Sequence, residues 1–155
     1  MKLFGKTSIN PIIFYTGKLA LVGNFVFVFL GGYVDAPKLN IWVLLTNLII
    51  LFIPGLLIFV ASIYQLGESL RVGLPEEETT LKTHGLYKFS RNPIYVSVYM
   101  LCLASCVYVP HWLNITLLIL AVTIHHFIIK AEEKFLLEKF KEQWIEYTKK
   151  VRRYL

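Results

Sequence analysis

Four long apolar runs separated by brief polar breaks leave this chain few folds to choose from. They cover roughly residues 12–34, 41–64, 94–109 and 112–129. A helix needs about 20 apolar residues to cross a bilayer. In lipid the backbone must satisfy its own hydrogen bonds, so runs of this kind fold as helices. The second run is ample. The first carries Lys18 near its start, a side chain long enough to snorkel toward the headgroups. The third and fourth runs each fall below about 20 residues and are parted only by Val109-Pro110-His111. That spacing predicts a tight helical hairpin whose tip stops short of the far interface. Composition agrees: 56% of residues are hydrophobic and 17% charged, against about 25% charged in an ordinary soluble domain. The expected fold is an all-α integral membrane protein with four transmembrane helices, a tight third–fourth helical hairpin and a C-terminal amphipathic helix. It forms one membrane domain over 1–155, with two N-terminal spans in 1–64 and a central loop, hairpin and C-terminal helix in 65–155.

Charge sets the expected orientation. With four crossings, the N-terminus, the 65–93 loop and the C-terminal tail share one side. That side carries Lys2, Lys6, Arg71, Lys82, Lys88, Arg91 and the basic residues from Lys130 to Arg153, while the other carries Lys38. Lys and Arg accumulate on the cytoplasmic side of membrane proteins, so both termini are expected there, in a multi-pass protein. The net charge of +6 is then explained by topology and anionic headgroups. Nucleic acid is not an expected partner, because no basic face outside the membrane carries base-reading chemistry. The first apolar run is too long for a signal-peptide core and lacks a small-residue exit, so it is expected to be retained. Cys102 and Cys106 lie one turn apart on one span, poor geometry for a disulfide. They are expected to pack as small residues, and no spacing suggests a metal site.

Within this frame a few residues punctuate the helices. Asp35-Ala36-Pro37 reads as a turn, and Pro54-Gly55 should kink or loosen the second span. Gly31-Gly32 permits close helix contact. The acidic triplet Glu76-Glu77-Glu78 reads as a solvated face. Thr83 to Tyr95 differs from it: a basic, turn-rich segment set directly against an apolar run. Gly85 permits a turn there, and Pro93 suits the first turn of a helix. Asn92, before that proline, should be extended. First-turn N–H groups of the third span would then be free to meet a ligand. Leu136, Phe140, Trp144, Tyr147 and Val151 recur at helical spacing and form one apolar face. The fourth span should therefore run on, bent or straight, into a helix on the cytoplasmic side. Ionisable groups at membrane depth are costly and mark candidate sites. His125 and His126 end the fourth span, Glu132 and Glu133 follow, and the seven-residue step from His125 to Glu132 puts those two on one face.

The segments G-L-Y-K-F-S-R-N-P-I-Y, A-E-E-K-F-L and W-I-E-Y-T-K-K-V-R-R-Y, in that order over about residues 79–155, resemble the C-terminal half of the isoprenylcysteine carboxyl methyltransferases. The related phospholipid methyltransferases are similar. The resemblance implies an S-adenosyl-L-methionine-dependent membrane methyltransferase acting on a lipophilic or lipidated acceptor at the cytoplasmic boundary. It implies cofactor contacts from Thr80, Leu81, Lys82, Tyr87, Asn92 and Glu132, with Arg91, Pro93, Tyr95, Tyr147 and Arg153 supporting or closing the pocket. Glu132, Arg91 and, for an amine or thiol acceptor, His125 are the candidate catalytic residues; Tyr147 and Arg153 also count among the candidate cofactor contacts.

The sequence departs from the family pattern in three places. Asn92 replaces a usual His, Arg152 stands where a Pro is frequent, and Ile128 occupies the position of an Arg suited to a substrate carboxylate. The last weakens the case for a prenylcysteine carboxylate as acceptor. A membrane reductase of the sterol-reductase type using NADPH, or a non-enzymatic scaffold or transporter, are the alternatives. No strand–glycine turn–helix unit supports a soluble-type dinucleotide fold.

Overall fold

The computed structural model describes residues 9–67 and 80–155. The expectations for Lys2, Lys6, Arg71 and the Glu76–Glu78 triplet lie outside those residues. All regular structure among the described residues is helical. Helix α1 spans Pro11–Leu30, α2 spans Ile41–Leu66, α3 spans Pro93–Tyr108 and α4 spans Trp112–Lys150. Three of these, α1, α2 and α4, are long and apolar enough to cross a membrane; α3 is apolar but has 16 residues. The chain is a membrane protein.

Local chemistry fixes the helix starts. Asn10 and Asn40 cap α1 and α2, their side-chain oxygens accepting from the N–H of Ile12 and of Trp42, each at 2.9 Å. Pro11 and Pro93 stand in first turns, where no N–H is missed. The first apolar run continues to Val34, but the helix stops at Leu30, whose carbonyl accepts the Tyr33 and Val34 N–H groups in a closing turn. Gly31 lets that turn press on the hairpin, since a Cβ there would lie 2.8 Å from Val109; Gly32 faces open space.

The proline in α2 acts one turn earlier than its position suggests. Residues Leu48–Phe52 form a π-turn, because Pro54 offers no N–H and its ring crowds the carbonyl four residues back. Gly55 then allows close approach to α3, with Leu101 and Met100 3.2 Å from where its Cβ would be.

α2 packs on α3, while α1 packs mainly on α4 and also on α3. The α3–α4 hairpin turns at Val109-Pro110-His111, as the sequence predicts. It is fastened to α1 by a buried polar knot. Asn24 donates to the Asn114 side chain at 2.7 Å, Ser105 donates to the Asn24 carbonyl at 2.9 Å, and Asn114 reaches the Val109 carbonyl at 3.2 Å. Such bonds hold helices together in lipid, where the hydrophobic effect does not. Cys102 and Cys106 are free and buried beside this knot, packing as expected. The outward faces carry Ile12, Leu19, Phe29, Trp42, Ile49 and Leu57, all exposed as a lipid-facing surface requires.

Beyond the last span, α4 breaks at Lys141, with φ 45° and ψ −115°. A side-chain-bearing residue pays about 1–3 kcal/mol for such a backbone. The break folds the amphipathic face onto itself: Trp144, Tyr147 and Val151 cluster, with Leu136, Phe140 and Leu81 packed against them. The single continuous stripe expected from the periodicity is thus two short helical faces closing on each other and on the 81–89 segment.

Candidate functional site

The turn before α3 is built from Gly85–Lys88, a single 3-10 turn that begins with Gly85 at φ 61°. Gln65, at the end of α2, accepts from the Leu86 N–H at 2.7 Å and lies where any Cβ on Gly85 would stand. Glycine is therefore required here both by conformation and by space. Tyr87 is buried, and the Tyr147 hydroxyl donates to its carbonyl at 2.6 Å. Burial, and then Tyr147, push the Tyr87 phenol above its ordinary value, so it stays neutral.

The C-terminal tail returns to this turn. The Arg91 N–H donates to the Arg152 carbonyl at 3.0 Å, and the Asn92 side chain donates to the Arg153 carbonyl at 3.1 Å. Ser90 accepts from the Asn92 N–H at 3.1 Å, holding the bend before Pro93. Asn92 avoids the helical region, as the following proline demands, but at φ −132° and ψ 54° it is not the extended residue expected, and its side chain does not cap α3. Its amide nitrogen ties two distant segments, a task independent of any titratable group.

The adjacent carboxylates divide. Glu133 bridges two cations: Arg153 donates to Oε2 through Nη2 at 2.7 Å and Nε at 3.0 Å, and Arg91 Nη2 lies 3.1 Å from Oε1. These hydrogen bonds raise the Arg153 guanidinium above its ordinary value. The Arg91 guanidinium also lies over the Trp144 ring, 5.6 Å from its centroid. Its Nε is buried and has no hydrogen-bond partner among the described residues.

Glu132 faces another way. The Tyr95 phenol and the Lys18 ammonium both act on its carboxylate electrostatically. His125 lies on the same side, its ring 5.5 Å from that of Tyr95. Its Nδ1 sits 2.8 Å from the Ala121 carbonyl. A carbonyl only accepts, so Nδ1 carries the proton and Nε2 the lone pair. That Nε2 is buried and has no partner among the described residues.

Of the residues singled out from sequence, Leu81, Tyr87, Arg91, Asn92, Tyr147 and Arg153 come together around the turn, and Glu132, Tyr95 and His125 around a second centre beside it. Thr80 is exposed and Lys82 half-buried next to the first. Sequence reasoning missed three participants. Glu133, not Glu132, is the ion-pair partner of the arginines. Tyr154 packs on Tyr99, and its hydroxyl lies 2.9 Å from His126 Nδ1. Lys18 reads from sequence as a snorkelling chain, although a cation inside an apolar run is itself the available signal.

The family model for phospholipid methyltransferases matches residues 45–143, more than half of the chain. The chain belongs to the phospholipid methyltransferase family. It is thus a membrane methyltransferase that uses S-adenosylmethionine and acts on a lipid acceptor, which removes the reductase and scaffold alternatives. No curated protein and no solved structure gave a match.

Proposed function

We propose that this chain binds S-adenosylmethionine against the 80–92 turn and methylates a lipid at the cytoplasmic face of a four-span membrane domain. In this reading α3 is the fourth crossing, shorter than the others, and both termini are cytoplasmic, as the Lys and Arg distribution favours. Residues 1–64 supply the first two spans and 65–155 the cofactor loop, hairpin and C-terminal helix.

The observation that carries the reading is the buried Arg91 Nε with no partner among the described residues, beside an aromatic wall. A guanidinium held by Glu133 on one edge and open on another is suited to a carboxylate such as the cofactor's. Leu81, Tyr87 and Tyr147 offer the apolar and aromatic slot that a purine needs. Thr80, Lys82 and Asn92 border that slot, and Arg153 closes it by way of Glu133. The donor set therefore fits the cofactor. When bound, S-adenosylmethionine supplies an electrophilic methyl group on a sulfonium.

The chain's own residues then position the acceptor, and orientation supplies much of the rate of a displacement. Glu132, in the second centre, offers negative charge on the side of Lys18 and Tyr95. Its neighbour His125 presents a free lone pair at Nε2, suited to take a proton from an ammonium acceptor before the nitrogen attacks. Ile128 is fully buried at the position where the prenylcysteine enzymes carry an Arg. With no cation there, an amine headgroup is favoured over a prenylcysteine carboxylate.

Purified protein in nanodiscs should bind S-adenosylmethionine by calorimetry, and Arg91→Ala should abolish that binding. Labelled methyl transfer to a panel of ethanolamine phospholipid, prenylcysteine and hydrophobic thiol or amine acceptors should select the amine lipid. Cofactor binding unaffected by Arg91→Ala would sink the pocket, and transfer to prenylcysteine alone would sink the acceptor assignment.

A further inference from the structure

Lys18 sits in surroundings made for a cation it did not have to be. Its Nζ lies 5.2 Å from the centroid of the Phe14 ring and 5.7 Å from that of Tyr95. The Glu132 carboxylate acts on it electrostatically from α4. Two aromatic faces and a carboxylate make a cation cage, the arrangement by which proteins recognise ammonium groups and favour methylated ones. Phe14 is buried, with Ile124 and Ile128 packed around it, so this wall is rigid. Gly17, one residue before Lys18, brings α1 close against α4 beside the cage: a Cβ there would meet Ile124 at 2.6 Å and His125 at 3.3 Å.

Among the described residues, the other groups facing the cage add no positive charge. His125 keeps its proton on Nδ1, bonded to Ala121, and its buried Nε2 has no partner among the described residues. Among the described residues, the cation within the cage is the tip of a flexible chain from α1, whose own attachment point is half-buried. A lysine with four methylenes can leave for the headgroup region at small cost, and the cage it leaves behind retains its carboxylate and both rings.

We propose that Phe14, Tyr95 and Glu132 form the subsite for the ammonium group of the lipid acceptor, and that the Lys18 ammonium holds this subsite until the lipid displaces it. The inference rests on the methyltransferase reading above and assigns to it the residues that select an amine. Lys18 is a specificity-determining residue here: it keeps the carboxylate neutralised without lipid and sets how strongly an ammonium must bind to enter.

The test uses the whole chain in phosphatidylglycerol nanodiscs, which contain no ammonium headgroup, with hexyltrimethylammonium as the probe and its neutral tert-butyl isostere as control. Binding is read by saturation-transfer NMR. Lys18→Met should bind the cationic probe about tenfold more tightly than the unsubstituted protein. Adding Glu132→Gln should reverse the gain, and Lys18→Arg should show none. In the unsubstituted protein the Lys18 ε-methylene protons, shielded by the two rings, should move downfield as probe is added; this readout stands even if a variant fails to fold. Equal affinity of Lys18→Met and the parent, equal gain for the neutral isostere, or unmoved Lys18 resonances at saturating probe would each overturn the proposal. Calorimetry of S-adenosylmethionine on the same samples separates the two readings. Its failure in the parent protein removes the methyltransferase pocket, whereas its success with no probe gain in Lys18→Met removes only the cage.

Discussion

Replacing Glu133 with Gln should loosen the clamp between the 90–92 bend and the C-terminal tail without unfolding the helices. The carboxylate receives two bonds from Arg153, at 2.7 and 3.0 Å, and lies 3.1 Å from Arg91. A hydrogen bond to a charged group contributes about 1.5–3 kcal/mol. Gln keeps one oxygen, so part of one contact survives as a neutral bond. The Arg91 and Glu133 side chains are 12% and 13% exposed, but Arg153 is 32% exposed, and its share must be discounted for screening. The net loss is about 2 kcal/mol. Local opening should then rise about 30-fold. Amide exchange at Arg91, whose N–H is bonded to the Arg152 carbonyl, reports that opening directly in nanodiscs. Exchange should accelerate by that factor at Arg91, while amides within α2 stay unchanged. If Glu133→Gln left Arg91 exchange untouched and Glu132→Gln accelerated it, the division of labour between the two carboxylates would be refuted.

Two further substitutions probe the packing that positions the site. Gly17→Ala places a methyl 2.6 Å from Ile124, so thermal unfolding in nanodiscs should show a loss of about 1–3 kcal/mol from overpacking; an unchanged or raised transition would mean that α1 and α4 are not held this close. Tyr147→Phe removes the buried bond to the Tyr87 carbonyl and should cost about 1 kcal/mol, with weakened cofactor binding as the slot relaxes. Unaltered stability and unaltered binding together would show that this hydroxyl is not part of the wall.

Much of this fold is legible in the chain because lipid imposes so simple a rule. The apolar runs give the helices, and the prolines and asparagines beside them give the starts, with Pro93 and Asn40 acting where they stand. The break at Lys141 is not legible: a lysine carries no turn signal, and the left-handed backbone there is imposed by Trp144 and Tyr147 closing on Leu136 and Phe140. The site was half readable. Arg91, Asn92, Tyr87 and Arg153 could be gathered by motif, but which glutamate meets the arginines depends on the rotation of α4 about its axis. Periodicity gives that rotation only relative to other residues of the same helix. Lys18 required knowing which face of α1 meets α4, a matter of tertiary packing.

The neighbouring glutamates carry a consequence for how the chain can tolerate change. Successive residues of an α-helix are about 100° apart, and here that angle separates the arginine clamp from the aromatic cage. One residue inserted early in α4 would advance everything after it by that angle. Glu132 would then swing toward Arg91 and Arg153, and Ala131 would be left facing Lys18. Insertions of three or four residues nearly restore the phase but displace both centres along the axis by about one turn. Length variation should therefore be absorbed at Val109–His111 or before residue 80, while the stretch from Trp112 to Glu133 keeps a fixed count.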